Sequence, residues 1–266
     1  MSSRSMLLCD LGNSRVKLAI AVPGDGVCRL GAWDHDAGRL SAEQRSELQE
    51  LWREHGWKGA PALVTSVAGE AATGCLLDAL DTLGSRPCVL HPAHGLELAI
   101  EHPETVGLDR LYAARGAWQR TGRRDAIVVD AGTALTVDAV RGGRRGIFLG
   151  GAIAPGPELL AESLTRRGAQ LPPFEVAPGA PALGRHTVAA LQSGVAVGFA
   201  GAARLLVLEI AREAGFESPA LVVTGGAREF LLPTLSALGL GLVEAPDLVL
   251  EGLYAAGLDL DLEGHR

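Results

Sequence analysis

The sequence predicts an α/β protein built as two similar halves around a cleft. Three observations carry that reading. Short apolar strands alternate with amphipathic helical segments, an Asp-x-Gly bend joining two apolar strands occurs once in each half, and no Pro/Gly/Ser-rich linker separates the halves. At 266 residues the chain suits two domains of ordinary size, divided near Gly122 into 1–121 and 122–266 and joined by a short hinge. Its balance of 47% hydrophobic and 21% charged residues is that of a folded chain rather than a disordered one.

Met6 to Val22 reads as a hairpin, LLCDL and VKLAIAV around a tight turn at Gly12, Asn13 and Ser14, because apolar β-formers flank turn-formers. A third strand follows near Cys28 to Trp33. Ser41 to His55 has a Ser cap with Leu48, Leu51 and Trp52 at helical spacing. A strand at Ala62–Val67, a helix over Glu70–Leu83, a strand at Pro87–Leu90 and a helix over Leu108–Arg120 complete the first half. The second half opens with IVVDAGTALTVDAV, Ile127 to Val140, which repeats the hairpin plan. A strand at Gly146–Gly150 and helices at Pro157–Arg167 and Thr187–Glu213 come next. Last are the strand Leu221–Gly225 and helices over Glu229–Leu238 and Leu250–Leu258. Leu171 to Arg185, with four prolines, reads as a loop or lid.

A net charge of -7 without a Lys/Arg-rich run excludes a nucleic-acid footprint, which needs clustered cations. Cys9, Cys28, Cys75 and Cys88 lack metal-finger or CxxC spacing, so reduced thiols and a cytoplasmic setting are expected. The apolar run before Asp10 is too short for a signal peptide. The other apolar stretches, read as core strands, fall below the roughly 20 residues a membrane span needs, so a soluble protein is expected.

Asp10-Leu11-Gly12-Asn13-Ser14-Arg15 sets a carboxylate at a strand end beside a glycine and polar groups able to bind phosphate oxygens, and such a carboxylate can hold magnesium directly or through water. Alone, the pattern fits an ordinary hairpin better than a site. Asp130-Ala131-Gly132-Thr133-Ala134-Leu135-Thr136 gives the second half the same equipment, and two matched bends can grip a nucleotide from both sides of a cleft. A purely architectural repeat carries the same residues. Asp109-Arg110, read alone, is a helix-start aspartate favoured by the macrodipole with a solvated arginine. No histidine pair has metal spacing at helical intervals and no serine sits in a nucleophile elbow.

The two bends together with VVTGGA at Val222 resemble the phosphate and adenosine motifs of the actin-like ATPase and sugar-kinase superfamily, whose halves are ribonuclease-H-like domains. DLGNSRVK at Asp10, GLDR at Gly107, DAGTALTVD at Asp130, GGAIAPG at Gly150 and Thr187 with Ala190 and Gly194 are similar to type III pantothenate kinases in particular, in the family's order from Asp10 to about Leu253. The resemblance implies ATP-dependent phosphorylation of pantothenate, the first step of coenzyme A synthesis, with Asp109 as general base. It implies ATP contacts from Asp10, Leu11, Gly12, Asn13, Ser14, Arg15, Val16, Lys17 and Thr133, and substrate contacts from Gly107, Leu108, Asp109, Arg110 and Thr187. Magnesium would sit at Asp10, possibly through water, and a monovalent cation, potassium or ammonium, at Asp130. A homodimer is implied as well.

Two departures stand out. The family usually carries a substrate-side tyrosine near a proline before GxDR, where this chain has Ile100 and His102 around Pro103, and Ser14 replaces the commoner threonine. The readings left beside this one are a kinase or phosphatase of the same superfamily with another small substrate, favoured by the missing tyrosine, and a non-catalytic accessory protein, disfavoured by the three carboxylates Asp10, Asp109 and Asp130.

Overall fold

The structure, a computed structural model, describes residues 5–22, 24–55, 60–90, 95–168 and 170–263, so residues 1–4, which precede the apolar run before Asp10, lie outside the described residues. Among them the chain forms two compact units, one of residues 1–97, 102–119 and 247–266 and the other of 98–101 and 120–246. The chain passes between units more than once, whereas the sequence suggested one boundary near Gly122. The reason lies in the last helix, which packs on the first sheet.

The first unit begins with β1 (Met6–Leu11), β2 (Arg15–Val22) and β3 (Gly26–Asp34), an antiparallel meander. After α1 (Ala42–His55) come β4 (Pro61–Ser66), α2 (Gly69–Thr82) and β5 (Arg86–Val89), which extend the sheet in parallel to give the order β3-β2-β1-β4-β5. The predicted capping of α1 is present: the Gln44 amide donates to Ser41 Oγ at 3.2 Å and the Ser41 amide to Gln44 Oε1 at 2.6 Å. Leu7, Cys9, Leu11, Val16, Leu18 and Val64 face Leu48 of α1 and Ala72, Leu76 and Leu80 of α2, so alternate strand residues build one core.

The opposite face is covered by α7 (Leu248–Glu263), where Gly257 lets the helix settle on Leu63 and Met6. Beside it runs α3 (Leu108–Arg120), with the bounds the periodicity predicts. These two helices meet backbone to backbone. A Cβ on Gly252 would overlap the Tyr112 carbonyl, and one on Gly116 would lie 2.5 Å from the Leu248 carbonyl oxygen. Arg115 adds an ion pair to Asp259 at 2.6 Å, and Tyr112 Oη donates to the Leu90 carbonyl at 2.7 Å.

The second unit repeats the plan. β7 (Ala126–Ala131), β8 (Ala134–Arg141) and β9 (Gly146–Pro155) are antiparallel, while β10 (Ala220–Thr224) and β11 (Leu242–Glu244) run parallel to β7. With the short β6 (Leu96–Leu98) the order is β11-β10-β7-β8-β9-β6. Between them lie α4 (Pro157–Arg167), α5 (Thr187–Glu213) and the short α6 (Leu232–Ser236). The helix expected over Glu229–Leu238 is a 3-10 turn at Arg228–Phe230 followed by α6, because Pro233 can be accommodated only in a first helical turn. GGAIAPG runs through β9 as far as Pro155, with Gly156 at the cap of α4, and Gly150, at φ +100°, stands at a bulge against β8.

α5 is long and apolar enough to cross a membrane by length and composition, with 33% of its most apolar window buried. Its Phe199, Ala200, Ala203 and Val207 recur at helical spacing against Ile127, Val129, Leu135 and Val137 of the sheet. The proline-rich stretch is irregular, as expected, and is tied to the start of α5: Ser193 Oγ donates to the Ala182 carbonyl at 2.8 Å and Gln192 Nε2 to that of Glu175 at 3.0 Å.

Gly252→Ala is expected to destabilise the protein by about 1–3 kcal/mol through overpacking against α3, read as a lowered urea midpoint; Gly194→Ala, where an added Cβ meets nothing within 4 Å, leaves the midpoint at or above the parent's.

Candidate active site

In the first unit the β1–β2 bend is closed by the Gly12 amide donating to the Arg15 carbonyl at 2.9 Å. Asn13, Ser14 and Arg15 are exposed on it, and Arg15 pairs with Asp34 at 2.8 Å. Leu11 and Val16 point into the core, so their part in any phosphate contact is through backbone. Asp10 ends the other row of β1 side chains and is buried. Its cross-strand neighbour is Lys17, whose Nζ donates to Asp10 Oδ2 at 3.3 Å.

Sequence reasoning missed a brace on this bend. His35 lies just beyond β3, and its Nδ1 accepts the Gly38 amide at 3.0 Å, which leaves Nε2 as the donor to the Gly12 carbonyl at 2.9 Å. A neutral imidazole of fixed tautomer thus holds the turn. The two residues are separated by 23 positions, and no spacing rule links them.

Asp109 enters from α3, in whose first turn the helix dipole favours a carboxylate. Its Oδ1 accepts the Arg110 amide at 2.8 Å. Gly107 makes room for it, since a Cβ there would stand 2.5 Å from Asp109 Oδ1. Gly107, Leu108, Asp109 and Arg110 are all half-buried. Burial lifts the Asp10 carboxyl above the usual aspartate value, Lys17 opposes the rise, and the charge of Asp109 adds to it. Asp10, Lys17 and Asp109 therefore form one electrostatic group. Upstream of it, Pro103–Thr105 is a 3-10 turn carrying an exposed contact of 3.5 Å between His102 and Glu104 where the family's tyrosine is expected.

In the second unit Asp130 is half-buried near the end of β7, beside Thr136 of β8 and Thr224 of β10. VVTGGA closes over it: the Ala227 amide donates to the Ala131 carbonyl at 2.8 Å, and Gly225, at φ +93°, leaves only 2.5 Å between a built Cβ and Asp130 Oδ1. Only glycine fits there. Thr133 is exposed on the bend, with its carbonyl accepting the Gly156 amide at 2.9 Å, which fastens the start of α4 to the bend. Thr187 is exposed as the first residue of α5. The helix is capped by His186, whose Nδ1 accepts the Ala189 amide at 3.4 Å.

Residues 6–209 match the family model described as type III pantothenate kinase. The chain belongs to the type III pantothenate kinase family. A type III pantothenate kinase of Thermomicrobium roseum is 42% identical over 165 residues, 61% of this chain and 60% of that protein. Another, from Anaeromyxobacter sp., is 35% identical over 268 residues, covering 98% of this chain and 100% of its own. Among solved structures, the activator of 2-hydroxyisocaproyl-CoA dehydratase from Clostridium difficile, with bound ADPNP, aligns over 98% of both chains with a TM-score of 0.53 and 12% identity, a likeness of fold alone. The fold is that of the actin-like ATPases and sugar kinases, and this pantothenate kinase family member is an ATP-using phosphotransferase.

Because the Asp10 carboxyl is raised, the folded protein holds that proton more tightly than the unfolded chain. The ionised form then costs stability from about pH 4 upward until the folded-state value is passed. Asp10→Asn is therefore expected to melt above the parent at about pH 8, with the gain shrinking toward pH 4, while kinase activity is lost; calorimetry across pH checks the sign.

Proposed function

We propose that this chain transfers the γ-phosphoryl group of ATP to the primary hydroxyl of pantothenate, giving 4'-phosphopantothenate at the first step of coenzyme A synthesis, with Asp109 as the base. The observation that carries the residue assignment is the electrostatic grouping of Asp10, Lys17 and Asp109 in one unit. Asp109 accepts the proton as the hydroxyl oxygen bonds to phosphorus and the bond to the departing ADP oxygen breaks. Positioning and charge stabilisation supply most of the rate, and the base holds the hydroxyl in line. Arg110, next to it on α3, binds substrate or the moving phosphoryl group, and Gly107 and Leu108 shape the approach. On the substrate side Thr187 offers its hydroxyl from the start of α5.

The exposed Asn13, Ser14 and Arg15 with the backbone of Leu11, Gly12 and Val16 address the phosphates, as does Lys17. Thr133 contributes a further ATP contact. Among the described residues there is no cluster of three or more metal-ligating side chains. A lone carboxylate such as Asp10 suits magnesium, which keeps its waters and takes phosphate oxygens, and suits zinc poorly. Magnesium there neutralises phosphate charge. The half-buried Asp130, enclosed by the Gly225 turn, suits a potassium or ammonium ion serving the same end.

A homodimer is part of this reading, supported by Val197, Leu205 and Leu208, which leave 46%, 59% and 39% of their surface exposed on α5. Four free thiols, at Cys9, Cys28, Cys75 and Cys88, accord with a cytoplasmic protein.

Purified protein with magnesium and ATP is expected to phosphorylate pantothenate, faster with potassium or ammonium. Asp109→Asn loses about 10²–10⁴-fold in kcat with an unchanged melting temperature, and Asp130→Ala loses the cation response. No product from the parent with either cation present would overturn the assignment. Light scattering is expected to give a dimer mass for the parent and a monomer mass for Leu205→Glu.

A further inference from the structure

The loop after β3 is held firmly in an unfavourable conformation. Ala37, at φ +47°, and Gly38, at φ +77°, are consecutive left-handed residues in a turn closed by the Arg39 amide, which donates to the Asp36 carbonyl at 2.8 Å. A left-handed alanine is strained, and such strain persists only where the surroundings fix it. Here two helices do so. Gly38 is buried against α2, where a Cβ on it would overlap the Ala72 carbonyl, and Gln44 of α1 donates from Nε2 to the Asp34 carbonyl at 2.9 Å.

From this seat His35 reaches the β1–β2 bend twice. Its amide donates to the Ser14 carbonyl at 3.3 Å, and its imidazole, fixed as the Nε2–H tautomer by accepting the Gly38 amide at Nδ1, donates to the Gly12 carbonyl at 2.9 Å. The consequence lies on the other edge of that peptide. The Gly12 carbonyl and the Asn13 amide belong to one planar trans unit and point in opposite directions, so a carbonyl turned to His35 turns the Asn13 N–H away from it. Among the described residues no backbone group accepts that amide. Aimed so on an exposed bend, it is a ready donor to a phosphate oxygen.

We propose that His35 is a positioning residue for nucleotide binding: by holding the Gly12 carbonyl it presents the Asn13 amide to the phosphates of a bound nucleotide. His35 touches neither nucleotide nor acceptor. It carries the rigidity of a turn seated on α1 and α2 to a bend whose glycine would otherwise let the peptide rotate out of line. The inference rests on the assignment of the bend to nucleotide phosphates made above.

The test compares the full chain with His35→Asn and His35→Gln. Asparagine keeps an acceptor for the Gly38 amide but is too short to reach the Gly12 carbonyl, whereas glutamine carries an N–H as far out as Nε2. Calorimetric affinity for a non-hydrolysable ATP analogue with magnesium, and KM for ATP and for pantothenate, are measured well below the melting temperature of each protein. His35→Asn is expected to bind the analogue about 10-fold more weakly and to raise KM for ATP alike, with KM for pantothenate unchanged, a split that a general loss of structure would not produce. His35→Gln restores the affinity. Parent-like analogue affinity in His35→Asn would overturn the proposal. So would equal losses in the two variants, since the histidine would then act through something other than its bond to Gly12. Should His35→Asn not fold, His35→Phe against His35→Gln carries the same comparison. A parent that does not bind the analogue would overturn the assignment of the bend and this proposal with it. One that binds it without phosphorylating pantothenate would sink the substrate assignment alone, and analogue affinity still decides the role of His35.

Discussion

The first unit depends on the crossing of α3 and α7, where two glycines allow two helix backbones to touch. Gly252 lies under the Tyr112 carbonyl and Gly116 under that of Leu248, an approach no side chain would permit. Because α7 covers one face of the first sheet, the crossing sets where α3 runs, and α3 carries Asp109 in its first turn. The ion pair of Arg115 with Asp259 and the bond from Tyr112 to Leu90 fasten the same helix at other points along it. The proposed base thus takes its place from backbone packing, a stiffer determinant than any loop.

Both units use one strand order and one acidic bend, yet each secures its bend differently. In the first, a histidine from beyond the third strand bonds to the Gly12 carbonyl. In the second, the glycine turn after β10 folds over Asp130, and α4 is pinned to the Thr133 carbonyl. The difference matches the proposed roles. A bend that meets phosphates keeps its polar residues exposed, whereas one that holds a bare cation benefits from enclosure.

Much of this was legible in the sequence. Apolar runs of strand length marked both hairpins, and strong periodicity with end signals located α3, α4 and α5 at their observed bounds. The two Asp-x-Gly bends were visible because they repeat. What escaped had no local signature. β6 and β11 have three residues each, too few for a period to show. His35 matters through a partner far away in sequence, the Gly12 carbonyl. Likewise, which sheet the last helix covers is a tertiary fact, and α7 is apolar enough to serve either.

That last placement bears on how the protein is made. The strands of the first sheet are made before the second unit's main run, but one face of that sheet is covered by residues 248–263, made after it. Until residues 248–263 have been translated, the face carrying Leu8 and Leu63 has no lid, and α3 has nothing to cross. The second unit, whose main run is the unbroken 120–246, can close earlier. A nascent chain therefore holds its apolar sheet face uncovered longest where the proposed base will sit, and that interval is when a chaperone has most to shield.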